Sequence, residues 1–574
     1  MNSLLLVIIM FGGFLIAYHT YGKYLGKKIF KLASDFVCPS HELQDDLDFV
    51  PTNKHVLFGH HYTSIAGLGP IVGPAVGLIW GWVPAAIWVF FGSIFIGAVH
   101  DFGALVVSLR HDGRSIGDVS GDIITPRVRF LFLLIIFFLL LLVIAVFALI
   151  IGILFTMYPQ AVIPVWVEVP LAVWVGHMIY KKGASHATMG LLAVVLLYVT
   201  VVIGAYLPVD LTAFGMSGKT ALITWIVILF VYAFIASRLP VQVLLQPRDY
   251  INSHQLFVAL GLLLLGVLVA RPDITAPMYN ASPEGAPPIW PFIFVVIACG
   301  AISGFHSLVS SGTSSKQCYD ENDAKFIGYG SMLMEGTLSA LVIVACAAGL
   351  GMGLNTDAGL LTGMEAYSHH YASWSAASGL GAKLNAFVKG SANMIGSYGI
   401  PMNITITIMG VFLVSFAATT LDTATRLQRY IVGELAYATR LPALAGKTPA
   451  TLIAVLTAFI LAFYNGSGKG ALTLWPLFGT ANQLLAGLAL LVITVYLVKK
   501  SIPTVYTFVP MVFMIFMTGW AMIMNLNKFY SSGNMLLFVI GLCIFILEIW
   551  MILEAVIFFK KFQESPQAYA AETR

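Results

Sequence analysis

Residues 130 to 167 contain no Asp, Glu, Lys or Arg. About 20 apolar residues carry a helix across the hydrocarbon core of a bilayer. This stretch therefore holds one long span, 129–157, and the start of another, 161–180. Inside lipid every backbone N–H and C=O needs an internal partner, which leaves helices as the spanning element for segments this long. The rest of the chain agrees. Of its 574 residues 59% are hydrophobic and 10% charged, with a mean hydropathy of +0.90. A soluble domain carries about 25% charged residues, so this chain has too few to cover a water-facing surface.

Apolar runs give an all-α polytopic membrane protein with about fifteen spans: 3–20, 62–80, 83–109, 129–157, 161–180, 187–207, 219–237, 255–270, 291–312, 328–353, 403–422, 449–464, 471–497, 505–524 and 534–559. The basic groups test that count. Lys27/Lys28/Lys31, Arg110/Arg114/Arg127/Arg129, Lys181/Lys182, Arg238/Arg248, Lys316/Lys325, Arg426/Arg429/Arg440/Lys447, Lys499/Lys500 and Lys560/Lys561 all fall on one side. By the positive-inside rule the N-terminus is outside and the C-terminus cytoplasmic. Segment 3–20 has its lysines after it, as an uncleaved first span does. The expected organisation is one transporter domain, 1–564, with an external loop at 355–402 and a short tail at 565–574. A loop that long in a compact protein is a lid, a binding loop or disordered, and its aromatics Tyr367, Tyr371, Trp374 and Phe387 favour a folded lid. A net charge of +4 gives no reason to expect a nucleic-acid partner, and five scattered cysteines without C-x-x-C argue against a disulfide framework or a zinc site.

Two spans break the helical rule. HHYTSIAGLGPIVGPAVG, residues 60–77, places Gly67, Gly69, Pro70, Gly73 and Pro74 within eight positions. CGAISGFHSLVSSGTSSKQ, residues 299–317, is rich in Gly and Ser and carries His306. Both show G-x-H-x5-G: Gly59, His61 and Gly67, then Gly304, His306 and Gly312. They are either kinks or discontinuous helices. Irregular backbone survives at membrane depth only inside protein or beside a water-filled cavity. Paired discontinuous helices of opposite direction point to the substrate site of a secondary transporter.

Together with GAVHDF (98–103), RHDGRSIGDV (110–119), LQPRDYIN (245–252), TTLDTATRLQRY (419–430) and WPLFGTANQLLA (475–486), these segments resemble the carbon starvation protein A (CstA) family. The resemblance implies a transporter of peptides or, as in close relatives, of pyruvate with protons. It also implies a LeuT-like core of the amino acid–polyamine–organocation superfamily. On that plan 62–80 is the first core helix, 291–312 the sixth, 328–353 the seventh and 403–422 the eighth, with the lid at 355–402. Helices 3–20, 219–237 and 255–270 are extra.

Candidate residues follow. A substrate carboxylate would sit at the half-helix N-terminus near Gly67, Gly69 and Gly73, with His61, Ser64, Ser303, His306, Ser307 and Ser310 around it. Ionisable groups at membrane depth are functional by default, which makes His100, Asp101 and Glu335 ion-coupling candidates. Asp101 could instead pair with Arg110 or Arg114 at the interface. The resemblance implies a sodium site at Thr419, Thr420 and Asp422; the alternative for Asp422 is a cap and a salt bridge with Arg426. Asn482 and Gln483 either line the cavity or lock packing, and Gln246, Arg248 and Asp249 read as a structured inner loop.

No G-x-x-x-x-G-K-[ST] loop supports a nucleotide-driven pump. A membrane hydrolase would need triad geometry that adjacent His306 and Ser307 rarely give. A channel could use the same broken helices. The expected function is a secondary transporter, not an enzyme, without cofactor or metal. It would import peptides or pyruvate across the bacterial cytoplasmic membrane, proton-coupled or, as the alternative, sodium-coupled. Whether it forms a homo-oligomer is left open.

Overall fold

The computed structural model describes residues 2–357 and 359–564; the expected tail 565–574 lies outside the described residues. Its regular elements are helices, apart from one antiparallel strand pair, Leu354–Thr356 with Gly359–Leu361. Among the described residues, twelve helices are long and apolar enough to cross a membrane, or thirteen if the bent pair Lys54–Ala66 and Gly69–Trp80 counts as one span. The expected fifteen is not reached by that measure for two local reasons. Helix Lys447–Phe463 has 17 residues and is too short to qualify. Segment 291–312 is divided into Ile289–Val296 and Gly304–Gly312, each too short alone.

Helix starts obey local chemistry. At the longest uncharged run, Thr125 Oγ1 accepts from the Val128 N–H at 3.3 Å and Pro126 takes the first turn, where its missing N–H costs nothing. That helix, Pro126–Met157, is the most apolar span, with a mean hydropathy of 3.7, yet it lies in the interior against Met402–Ala438. Lipid tails and protein cores are equally apolar, so hydropathy does not separate buried spans from peripheral ones. The terminal spans, Ser3–Ile29 and Met535–Lys561, form the rim.

The loop 355–402 is folded. Helix Leu380–Gly396 buries Leu384, Phe387 and Val388 and packs against the turn at 345–352. At the opposite end of the bundle, the loop carrying Asp48 is tied to helix Met402–Ala438. Arg426 Nη1 donates to Asp48 Oδ1 at 2.6 Å, Arg429 Nη2 at 2.9 Å and the Tyr430 hydroxyl at 2.7 Å. Burial alone would raise the Asp48 pKa, but the two guanidinium groups hold it well below the usual carboxylate range.

Candidate functional site

Helix Lys54–Ala66 stops at Gly67, whose φ of +42° lies where L side chains rarely go. The chain restarts as Gly69–Gly77, bent by 42°. Pro74 has no N–H, so the Pro70 carbonyl loses its helical donor. Ser339 Oγ replaces it at 3.0 Å, from helix Ser331–Val344.

The second break is satisfied the same way, from outside its own helix. Trp88 Nε1 donates to the Ile297 carbonyl at 2.8 Å and Ser93 Oγ to the Gly300 carbonyl at 2.9 Å. Asn482 Oδ1 accepts from the Phe305 N–H at 3.0 Å, and its Nδ2 donates to Ser303 Oγ at 2.9 Å. Gln483 Nε2 donates to the Phe294 carbonyl at 2.7 Å. The two amides thus hold one half-helix each, and Ser303 is engaged by Asn482.

The breaks touch each other. A Cβ on Gly73 would lie 2.7 Å from the Val296 carbonyl oxygen, and one on Gly69 would collide with the Cys299 side chain. Gly69, Val72, Ala298 and Cys299 are half-buried amid fully buried neighbours, which marks a crevice at the crossing. The folded loop covers one end of the first broken helix. The Tyr371 hydroxyl donates to the Ala75 carbonyl at 2.6 Å, the Tyr367 hydroxyl to the Leu78 carbonyl at 2.9 Å, and the Trp374 ring lies 5.5 Å from Trp80.

Beside the crossing lies a chain of titratable groups, all 0% exposed: His100, Asp101, His306 and Glu335. His100 Nδ1 is 2.7 Å from Asp101 Oδ1, and His306 Nδ1 is 3.0 Å from Asp101 Oδ2. His306 Nε2 is 3.3 Å from Glu335 Oε2, an ion-pair distance rather than a well-formed hydrogen bond. Asp101 does not pair with Arg110 or Arg114; those go to Glu321 and to Asp118 and Asp122. His306, placed by sequence among the substrate ligands, thus lies in one cluster with the ion-coupling candidates His100, Asp101 and Glu335. Cys299 reaches the same spot: its Sγ and the ligand atoms of His306 and Glu335 lie within 4.8 Å of one another, close enough for a small cation to bridge.

The other candidates separate into two further groups. At the first break, Ser64 Oγ is 3.0 Å from Thr423 Oγ1, and a Cβ on Gly67 would lie 2.6 Å from Thr420 Oγ1. Thr419 accepts from Asn252 Nδ2 at 2.9 Å. His60 Nδ1 meets Asp249 Oδ2 at 2.5 Å, and His61 Nδ1 meets Ser314 Oγ at 2.7 Å while its Nε2 has no partner. Ser307 Oγ donates to the Gly304 carbonyl of its own helix at 2.7 Å; Ser310 Oγ is buried without a partner. Asp422 belongs elsewhere. It accepts from Arg248 Nη1 and, at 2.7 Å, from the Tyr232 hydroxyl, while Arg248 Nε donates to Glu168 at 3.2 Å. Arg426, its expected partner, is taken by Asp48. Sequence reading missed Glu168 and Cys299. Glu168, a lone carboxylate in an apolar span, carried the one available signal.

Comparison with known proteins follows the same lines. The profile described as carbon starvation protein CstA matches residues 2–521. The peptide transporter CstA of Escherichia coli (strain K12) is 32% identical, over 93% of this chain and 81% of the relative. The pyruvate/proton symporter BtsT of the same strain is 31% identical, over 93% of this chain and 83% of the relative. Among solved structures, the Eremococcus coleocola manganese transporter aligns with a TM-score of 0.46 at 12% identity, covering 90% of this chain and 99% of that one. Mhp1, a nucleobase-cation-symport-1 family transporter, aligns with a TM-score of 0.36 at 13% identity, covering 91% and 99%. The relatives are named as transporters and not as enzymes, and the chain is a multi-span membrane protein that belongs to the carbon starvation protein CstA family.

Proposed function

We propose that the protein is a proton-coupled secondary transporter for small carboxylate-bearing nutrients, working by alternating access across the bacterial cytoplasmic membrane. One observation carries the reading: a buried Asp101–His306–Glu335 chain lies directly beside the crossing of two discontinuous helices. With Nδ1–H donated to Asp101, His306 Nε2 is left to share one proton with Glu335. The proton sits on the imidazole facing two carboxylates, or on Glu335 facing a neutral ring. Both states carry one net negative charge, so passing the proton between His306 and Glu335 moves the buried charge without changing its sum. Substrate would enter the crevice at Gly69, where the first turn of Gly69–Gly77 offers the positive end of a half-helix to a carboxylate. The relatives named for peptides and for pyruvate both transport molecules with that group. A LeuT-like arrangement of the core accords with a first break lying against the threonines of Met402–Ala438.

A sodium-coupled reading has its own observation. Ser64, Thr419, Thr420 and Thr423 bring hydroxyl oxygens to the break at Gly67, and hard cations prefer oxygen ligands. Asp422, bound to Arg248, is not counted in that set.

The deciding experiment is uptake into proteoliposomes with labelled pyruvate or a labelled dipeptide, under an imposed proton or sodium gradient. Accumulation driven by the proton gradient alone is expected. Accumulation driven by sodium alone moves the coupling site to the threonines. Equilibration without accumulation under either gradient overturns coupled transport in favour of a channel.

A further inference from the structure

We propose that an anionic phospholipid occupies a groove between the N-terminal helix and the first broken helix, with its headgroup on Lys23, Lys27 and Lys325 and one acyl chain along Phe14 and Phe257. The groove has a volume of about 720 Å³ and runs between Ser3–His19, Lys54–Ala66 and Leu245–Ala270 over a floor of Ser331–Val344. That volume falls in the range of roughly 300–1,000 Å³ found for ligand sites. From Phe11 to His19 it extends about 12 Å along the helix, most of one leaflet of a core about 30 Å thick.

Its two ends differ in chemistry. The deep end is apolar and aromatic, as an acyl chain requires. The mouth is basic. Lys325 Nζ sits 4.1 Å above the ring of Tyr18, which lines the groove, and is held there by a cation–π contact. Lys23 and Lys27 follow the groove-lining His19 at one and two helical turns along Ser3–Ile29, and a Cβ on Gly26, next to Lys27, would lie 3.9 Å from Lys325 Cδ. Among the described residues no carboxylate pairs with any of the three; the nearby Asp323 is turned to Lys54 at 3.9 Å. Three clustered cations without a counter-ion, above an apolar slot opening to lipid, match a phosphate headgroup joined to a hydrocarbon tail. Basic pockets between transmembrane helices are the usual seat of anionic headgroups. The site shares no residue with the coupling chain, so it stands or falls independently of the transport reading.

The test is native mass spectrometry of the full-length protein released from nanodiscs of equimolar phosphatidylglycerol and phosphatidylcholine. The wild type should retain phosphatidylglycerol in clear excess. K23Q/K27Q/K325Q should lose that preference by about fivefold per lysine removed, from the roughly 1 kcal/mol each basic residue contributes near a membrane surface. K181Q/K182Q, at a basic helix end that lines no part of the groove, should keep the excess. Equal retention of the two lipids by the wild type overturns the proposal. So does an excess that survives in the triple variant, or a co-purifying polypeptide that cross-links to Leu15→Cys in place of lipid.

Discussion

Arg248 and His306 each face two buried carboxylates, Glu168 and Asp422 in one case, Asp101 and Glu335 in the other. Both clusters are sealed from solvent, and both join helices far apart in sequence. The cations differ. A guanidinium stays charged at every physiological pH, and its fork can hold two carboxylates in fixed directions. An imidazole gains and loses its proton near neutrality. The Arg248 cluster adds donors from Tyr232 and Ser415, so that both Glu168 oxygens and Asp422 Oδ2 are engaged and Asp422 Oδ1 alone has no partner. The His306 cluster leaves Glu335 without a well-formed hydrogen bond. A well-bonded network around a permanent charge is a lock. A sparsely bonded one around a titratable ring is the place the proposed coupling assigns to the proton.

The largest expected effect breaks the lock. Arg248→Met leaves Glu168 and Asp422 buried without a cation, and removing one partner of a buried pair costs about 3–5 kcal/mol. Thermal unfolding in detergent should show a collapse in stability or no folded protein. Glu335→Gln is the contrast. It removes the titratable oxygen but keeps the shape, so the melting temperature should hold while gradient-driven accumulation falls to simple equilibration. Equal loss of stability in both variants would erase the distinction between the clusters. Gly73→Val pushes on the Val296 carbonyl and should cost roughly 1–3 kcal/mol of overpacking, with weakened substrate binding measured by displacement. Tyr371→Phe deletes one hydrogen bond to the first broken helix, about 0.5–1.5 kcal/mol. Faster hydrogen exchange over 363–377 should report it, with the coupling cluster unchanged.

The smallest effect concerns pH and the covering loop. Burial first, then the charges of His369 and Lys389, push the His370 pKa from 6.5 down to about 4. The folded loop therefore prefers the neutral ring. Its docking should be fully stable above pH 6.5 and weaken as pH falls towards 4, because the undocked ring takes up the proton first. His370→Gln should flatten that dependence. Were the loss below pH 6 unchanged in that variant, His370 would not be its source.

The breaks were legible in sequence because their cause is local: Gly67, Pro70 and Pro74 act on their own backbone. The partners of the ionisable groups were not. Asp101 has Arg110 and Arg114 within a few turns in sequence, yet it bonds His306, 205 residues away. Asp422 has Arg426 one turn on, yet it bonds Arg248, 174 residues back. Short-range spacing names plausible partners, and the packing of helices chooses among them. Glu168 illustrates the same limit. One carboxylate in an apolar run shows that something must compensate it, but not what. The span count differs from the length-based one for another reason, since interrupted and short helices do not meet a length criterion.

Ser339 and Glu335 stand one turn apart on helix Ser331–Val344. One grips the Pro70 carbonyl and the other faces His306. On the proposed coupling, that helix is mechanically a connecting rod between the broken backbone and the carboxyl that takes the proton. If the rod turns or slides when Glu335 changes partner, the grip on Pro70 must travel with it or let go. Under that proposal, a single part joining the two leaves little slack for a proton to cross without a matching movement of the first broken helix.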